Sequence, residues 1–234
     1  KIVVTMDDSE SERQPVPESA LIKADAGYLI TGGLGTLGLL VAGWLADKGA
    51  KHIILMSRST VREETSESLE VIKRNGAEVT IAIGDVADSA QVANVLSDIT
   101  EKGIELRGIL HCAGMLDDHA FVRMEKESLC KVMLPKVQGS WNLHYLTADY
   151  PLDFFVLFSS VSAVVGNPGQ TNYAAANLFM DSLARYRKSR GLKALSVNWS
   201  YWEDTGMAAG KTDVRKGLSL KGTGRIPAAD GFHI

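Results

Sequence analysis

Three side chains in one segment have the types and spacing for ketone chemistry. In FFVLFSSVSAVVGNPGQTNYAAAN, Ser160 ends an apolar run, Tyr173 follows thirteen residues later in a helical pattern, and Asn177 lies one turn beyond on the same face. Hydride transfer to a ketone leaves an alkoxide-like oxygen, which needs hydrogen-bond donors where the charge develops and a proton source beside it. Tyr173 is the candidate proton donor and Ser160 the candidate for orienting the carbonyl. An ordinary phenol titrates near pH 10, so proton exchange near neutrality also requires a cation close to Tyr173. Singly, each residue has a plainer account, a buried helix aromatic for Tyr173 and caps for Ser160 and Asn177. Their joint spacing favours the chemistry.

A second cluster has phosphate-binding character. In YLITGGLGTLGLLVAGWLA, Gly33, Gly35 and Gly38 satisfy GxGxxG between a predicted strand and a predicted helix, with Thr31 and Gly32 extending the pattern. The spacing predicts a tight turn at Gly33, close backbone approach to a pyrophosphate at Gly35, and close helix packing at Gly38. Free N–H groups at the helix start, Thr36 and Leu37, would attract the anion. NAD sites usually place an acidic residue at the end of the second strand, but here that strand ends in Ser57 and Arg58. A guanidinium there pairs with a 2′-phosphate, which favours NADPH. At the end of the third strand, in Gly84-Asp85-Val86, Asp85 is either an acceptor for an adenine amino group or a helix cap.

The elements that must position these groups follow from the periodicity. Strands YLIT, HIILMS, EVTIAIG, GILHC, FFVLFSS and KALSVNW alternate with helices over about 36–48, 64–74, 89–102, 126–147 and 171–189. Six nearly continuous apolar strands alternating with helices predict an α/β fold, a Rossmann-like, doubly wound parallel sheet in three α/β/α layers. Strand ends at the carboxyl edge of such a sheet bind ligands. Residues 1–27, rich in Asp, Glu, Ser and Pro after KIVVT, read as a linker or remnant of something upstream, and 28–234 as the catalytic domain. The pattern stops after Trp199, and about 200–225 reads as a lid.

Composition excludes several classes. With 25 Lys+Arg against 28 Asp+Glu, a net charge of −3 and no basic run, a nucleic-acid partner is not expected. Cys112 and Cys130 form no metal or redox motif, and so few cysteines point to a reducing cytoplasm. The uncharged stretch Ala26 to Ala46 has a membrane-like hydropathy, but its glycines divide it into strand, turn and helix, so no membrane span is expected.

These stretches, with SRS, HCAG at 111–114, GNPGQTNYAAAN and VNWSYWEDTGMA, resemble the short-chain dehydrogenase/reductase superfamily. More narrowly they resemble ketoreductase domains of modular polyketide synthases and related fatty acid synthases, over roughly Tyr28 to Ala209. Most of the superfamily has YxxxK. Here Asn177 stands four residues after Tyr173 and the lysine lies upstream as Lys136 in LPKVQGSWNL, an exchange similar to that of the synthase ketoreductases. The resemblance implies Lys136 as the cation beside Tyr173 and the support for the nicotinamide ribose, with Asn177 holding Lys136 or a relay water. It implies cofactor contacts from His111, Ala113, Gly114 and Val86. It also implies a β-ketoacyl substrate on the phosphopantetheine arm of an acyl carrier protein, with other domains of the same synthase as partners. Leu116, Asp117 and Asp118 resemble the B-type signature, whose product is 3R, and Val165 stands where A-type domains usually carry Trp. Met207, in the lid, would close over the substrate. Two other readings are a free-standing reductase of small ketones and a redox-silent cofactor-binding scaffold.

Overall fold

The computed structural model describes residues 21–202, with Ile226, Pro227 and Gly231. The opening KIVVT, most of the expected lid and Met207 lie outside the described residues. Strands β1 (Ala26–Thr31), β2 (His52–Ser57), β3 (Glu78–Ile83), β4 (Glu105–His111), β5 (Phe154–Ser160) and β6 (Leu195–Trp199) form one sheet in the order β3-β2-β1-β4-β5-β6. All pairings are parallel. The order reverses between β1 and β4, which opens a crevice at their carboxyl ends, and Thr31 stands opposite His111 there.

Helices α1 (Thr36–Asp47) and α2 (Glu63–Arg74) cover one face of the sheet; α3 (Ser89–Glu101), α5 (Gly139–Leu146) and α7 (Thr171–Ser189) cover the other. Side-chain alternation along β1 divides the core. Tyr28 and Ile30 pack with Val41, Leu45, Leu69 and Ile72, whereas Leu29 packs with Val95, Ile99, Leu143 and Met180. Burying each such aliphatic side chain contributes about 1.5–3 kcal/mol. The sheet is therefore apolar on both faces, as its strands predict. No helix among the described residues is long and apolar enough to cross a membrane.

The domain begins earlier than its expected start at Tyr28. Strand β1 starts at Ala26, Ile22 is buried in the α1/α2 core, and Lys23 is tied down twice. Its N–H donates to the Tyr28 hydroxyl at 2.6 Å, and its ammonium lies 2.9 Å from Asp153.

One expected helix is three elements. The span 126–147 divides into α4 (Lys126–Met133), a π-helical turn (Leu134–Gln138) and α5. Pro135 has no N–H to continue the ladder of α4, and the widened turn accommodates it. Ser140 bonds the carbonyl of Lys136. Gly139 is required where the chain passes Val86, since a Cβ there would stand 2.7 Å from its Cγ1.

Candidate active site

The widened turn aims Lys136 inward. Its side chain is buried, Nζ donates to the Phe158 carbonyl at 3.0 Å, and Nζ lies 5.4 Å from the centre of the Tyr173 ring. Burial lowers Lys136 to about 8, with Cys112 and Asp181 acting the other way. Tyr173 is half-buried on the first turns of α7. Burial raises its phenol, while the Asn177 and Ser160 side chains oppose that rise.

Ser160 is the last residue of β5, and its Oγ accepts from the N–H of Ser162 at 3.2 Å and its hydroxyl at 3.0 Å. A short helix α6 (Ser162–Val165) and Gly166, at a φ of 64°, return the chain towards α7. Asn177 is fully buried and donates to the Tyr173 carbonyl at 2.7 Å. It makes no hydrogen bond to Lys136, contrary to one of the roles expected for it; its Oδ1 is buried and without a partner.

Across the β1/β4 switch runs a groove of about 1250 Å³. Gly32, Gly35, Thr36, Leu37, Ser57, Arg58, Asp85, Val86, Ala113 and Gly114 of the expected set line it. The glycines divide their work differently from the expected pattern. Gly32, not Gly33, takes the left-handed conformation of the turn, at a φ of 67°, and a Cβ on it would stand 2.8 Å from the Ala113 backbone. Gly33 faces β2, where a Cβ would meet Leu55 at 2.7 Å, and Gly38 lies against Gly33 and the Gly32 carbonyl.

Thr31, Gly33 and His111, expected as cofactor contacts, do not line the groove. Thr31 and His111 are buried and bond each other, Oγ1 to Nδ1 at 2.6 Å, joining the ends of β1 and β4 beneath it. Burial, reinforced by Lys136 and opposed by the Pro135 carbonyl, lowers His111 to about 3, so the ring is neutral. Tyr173 and Lys136 lie beyond the groove's lining as well. Asp85 is not the helix cap: Asp88 accepts the N–H groups of Ala90 and Gln91 at the start of α3. One oxygen of Asp85 accepts the Ala87 N–H at 2.9 Å.

The groove's residues fit a dinucleotide phosphate. The first turn of α1 carries no acidic side chain and no side-chain cap, which leaves its N–H groups for an anion. At the far end stand the exposed guanidiniums of Arg58 and Arg62. Arg62 has no place in the sequence pattern, because its four-residue separation from Arg58 lies in a loop without periodicity.

The loop after β4 is tied to α7. Gln170 donates to both oxygens of Asp118, Asn172 donates to the Asp117 carbonyl at 2.8 Å, and His119 donates its N–H to Gly169 at 2.9 Å. The Asp117 carboxyl bonds His119, which with Lys131 holds it below the usual carboxylate range. Val165 closes α6 and is partly exposed.

A family profile described as the KR domain matches residues 26–204, from the first strand past the last. The chain belongs to the KR family of polyketide synthase ketoreductase domains, in the short-chain dehydrogenase/reductase superfamily. The mycocerosic acid synthase-like polyketide synthase of Mycobacterium tuberculosis is 38% identical over 194 residues, 83% of this chain and 9% of that protein. Phthioceranic/hydroxyphthioceranic acid synthase of Mycobacterium bovis is 38% identical over 192 residues, again 9% of its length. This KR domain thus spans about a tenth of the curated relatives it matches. Among solved structures, a ketoreductase domain from the bacillaene assembly line is 39% identical with a TM-score of 0.83, over 89% of this chain and 52% of that one. A structure of A-type ketoreductases from a modular polyketide synthase gives 37% and 0.84, over 93% and 46%.

Proposed function

We propose that this KR domain uses NADPH to reduce the β-keto group of an acyl chain carried on the phosphopantetheine arm of an acyl carrier protein, giving a 3R β-hydroxyacyl product. The observation that carries the reading is the buried Lys136 ammonium beneath the Tyr173 ring, with Ser160 and Asn177 beside them. Burying an ammonium is costly, and a chain that only scaffolds its neighbours has no use for one next to a phenol.

The glycine turn, the start of α1 and Arg58 hold the cofactor, which supplies the hydride when bound. This chain's own residues handle the proton. Ser160 and Tyr173 donate to the ketone oxygen and fix the carbonyl. As the carbon accepts the hydride and its C=O π bond breaks, the phenol O–H bond of Tyr173 breaks and the proton passes to the oxygen. The phenolate left on Tyr173 is stabilised by the Lys136 ammonium until a proton returns. The buried Oδ1 of Asn177 accepts the hydrogen bond of a water on that return path.

Leu116, Asp117 and Asp118 support the B-type assignment. The overall likeness extends to structures described as A-type and C2-type, so local residues carry the stereochemistry. The Arg58 guanidinium supports NADPH over NADH, and the synthase relatives support a carrier-bound substrate over a free ketone. The test is cofactor oxidation with a β-ketoacyl pantetheine thioester, a simple ketone and no substrate, using NADPH and NADH in parallel. Oxidation of NADPH with the thioester, and a 3R alcohol by chiral chromatography, is the expected result. Reduction of the simple ketone alone would support the free-standing reductase, and no oxidation with either would support the scaffold.

A further inference from the structure

A buried carboxylate stands behind the site, two turns beyond Tyr173 and one beyond Asn177 on α7. Asp181 is 7% exposed, and no Lys or Arg among the described residues forms an ion pair with it. Both its oxygens are instead held from β6: Ser196 Oγ donates to Oδ1 at 2.6 Å and Asn198 Nδ2 donates to Oδ2 at 2.9 Å. The same Asn198 amide lies 3.1 Å from the Ser160 carbonyl and 3.1 Å from Ser159 Oγ, so its two N–H bonds are shared among three acceptors. Ser159 in turn donates to the Asn177 carbonyl at 3.2 Å. A continuous chain of hydrogen bonds therefore runs from Asp181 to the strand end that carries Ser160 and to the turn that carries Asn177.

We propose that Asp181 is a positioning residue of the site, holding Asn198 so that its amide fixes the strand end that presents Ser160. The assignment rests on the ketoreductase reading above. It predicts that losing either end of the link between Asp181 and Asn198 weakens the site through Ser160.

The test uses the whole chain with Asp181→Ala, which removes both acceptors, Asp181→Asn, which keeps the shape and an acceptor for the Asn198 amide, and Asn198→Ala, which keeps the carboxylate. In Asp181→Ala and Asn198→Ala, kcat with the β-ketoacyl thioester falls about tenfold or more with KM little changed, and Asp181→Asn returns kcat towards the parent value. Parent kcat in a folded Asn198→Ala protein overturns the proposal, as does a fall in Asp181→Asn as deep as in Asp181→Ala. If Asp181→Ala does not fold, Asn198→Ala decides. Absence of thioester reduction in the parent chain would instead overturn the ketoreductase reading.

Discussion

Gln170 holds Asp118 through its side-chain amide, 3.3 Å from each carboxylate oxygen, just before the helix that carries Tyr173. Gln170 is itself buried and fixed by Asn167, which donates to its Oε1 at 3.0 Å. The loop with Leu116, Asp117 and Asp118 is thus built onto the base of α7. On the reading proposed above, the proton donor and the loop share this anchor, so the loop's position relative to Tyr173 would set which face of a ketone meets the hydride. A hydrogen bond to a charged group contributes about 1.5–3 kcal/mol. Gln170→Ala is therefore expected to lower the enantiomeric excess of the 3R product while leaving NADPH binding intact. Chiral chromatography of the thioester product measures it, and an unchanged excess would remove Gln170 from stereocontrol.

Tyr173→Phe keeps the ring under which Lys136 lies and removes the donated proton. Turnover of the β-ketoacyl thioester is expected to fall by about 10²- to 10⁴-fold, the usual worth of general acid catalysis. Fluorescence titration with NADPH should give nearly the parent affinity, since the hydroxyl stands beyond the lining of the groove. Undiminished turnover would reassign the proton donor.

Arg58 and Arg62 define a separate expectation at the other end of the groove. A guanidinium paired with a phosphate supplies charge-assisted hydrogen bonds worth about 1.5–3 kcal/mol, or roughly a 10- to 100-fold change in affinity. Arg58→Ala should weaken NADPH by that factor and leave NADH unaffected, with Arg62→Ala acting in the same direction but less. Calorimetric titration with both cofactors separates a 2′-phosphate contact from general loss of positive charge, which would weaken the two cofactors alike.

The six parallel strands and the glycine turn were legible because each rests on local signals: nearly continuous apolar runs for the strands, and GxGxxG between strand and helix. What was not legible depends on long-range pairing or on backbone detail. LPKVQGSWNL carries a continuous apolar periodicity, so the turn forced by Pro135 is hidden inside a helix-like pattern, and with it the direction of Lys136. In TGG only Gly33 begins GxGxxG, yet it is Gly32, held close to the Ala113 backbone just after β4, that makes the turn. The ties of Asp181 to Ser196 and Asn198 join α7 to an edge strand, and nothing in either segment announces the other. His111 reads as part of a cofactor motif, yet its bond to Thr31 places it under the groove as a brace.

The charge on Lys136 should cost the fold stability, and pH exposes that cost. Burial lowers its titration from 10.5 to about 8, so at 1.36 kcal/mol per unit the cost has a ceiling of about 3 kcal/mol. Below pH 8 the lysine is charged in both folded and unfolded chains, and folding carries the whole penalty. Between about 8 and 10.5 the folded protein has released its proton while the unfolded chain still holds one, so the penalty disappears as pH rises. Lys136→Met keeps the length of the side chain and removes the charge. It also leaves the Phe158 carbonyl without its donor, a loss of about 1–3 kcal/mol that does not change with pH. The decisive quantity is therefore the difference in urea-unfolding free energy between the two proteins at about pH 7 and about pH 10.5. The difference should shift by up to about 3 kcal/mol in favour of the parent at the higher pH. Catalysis is lost in Lys136→Met at both, which is the trade of stability for activity expected of a buried catalytic cation. A difference that stays flat across this range would mean that the lysine titrates as it does in water, and the enclosure that couples it to Tyr173 would be refuted.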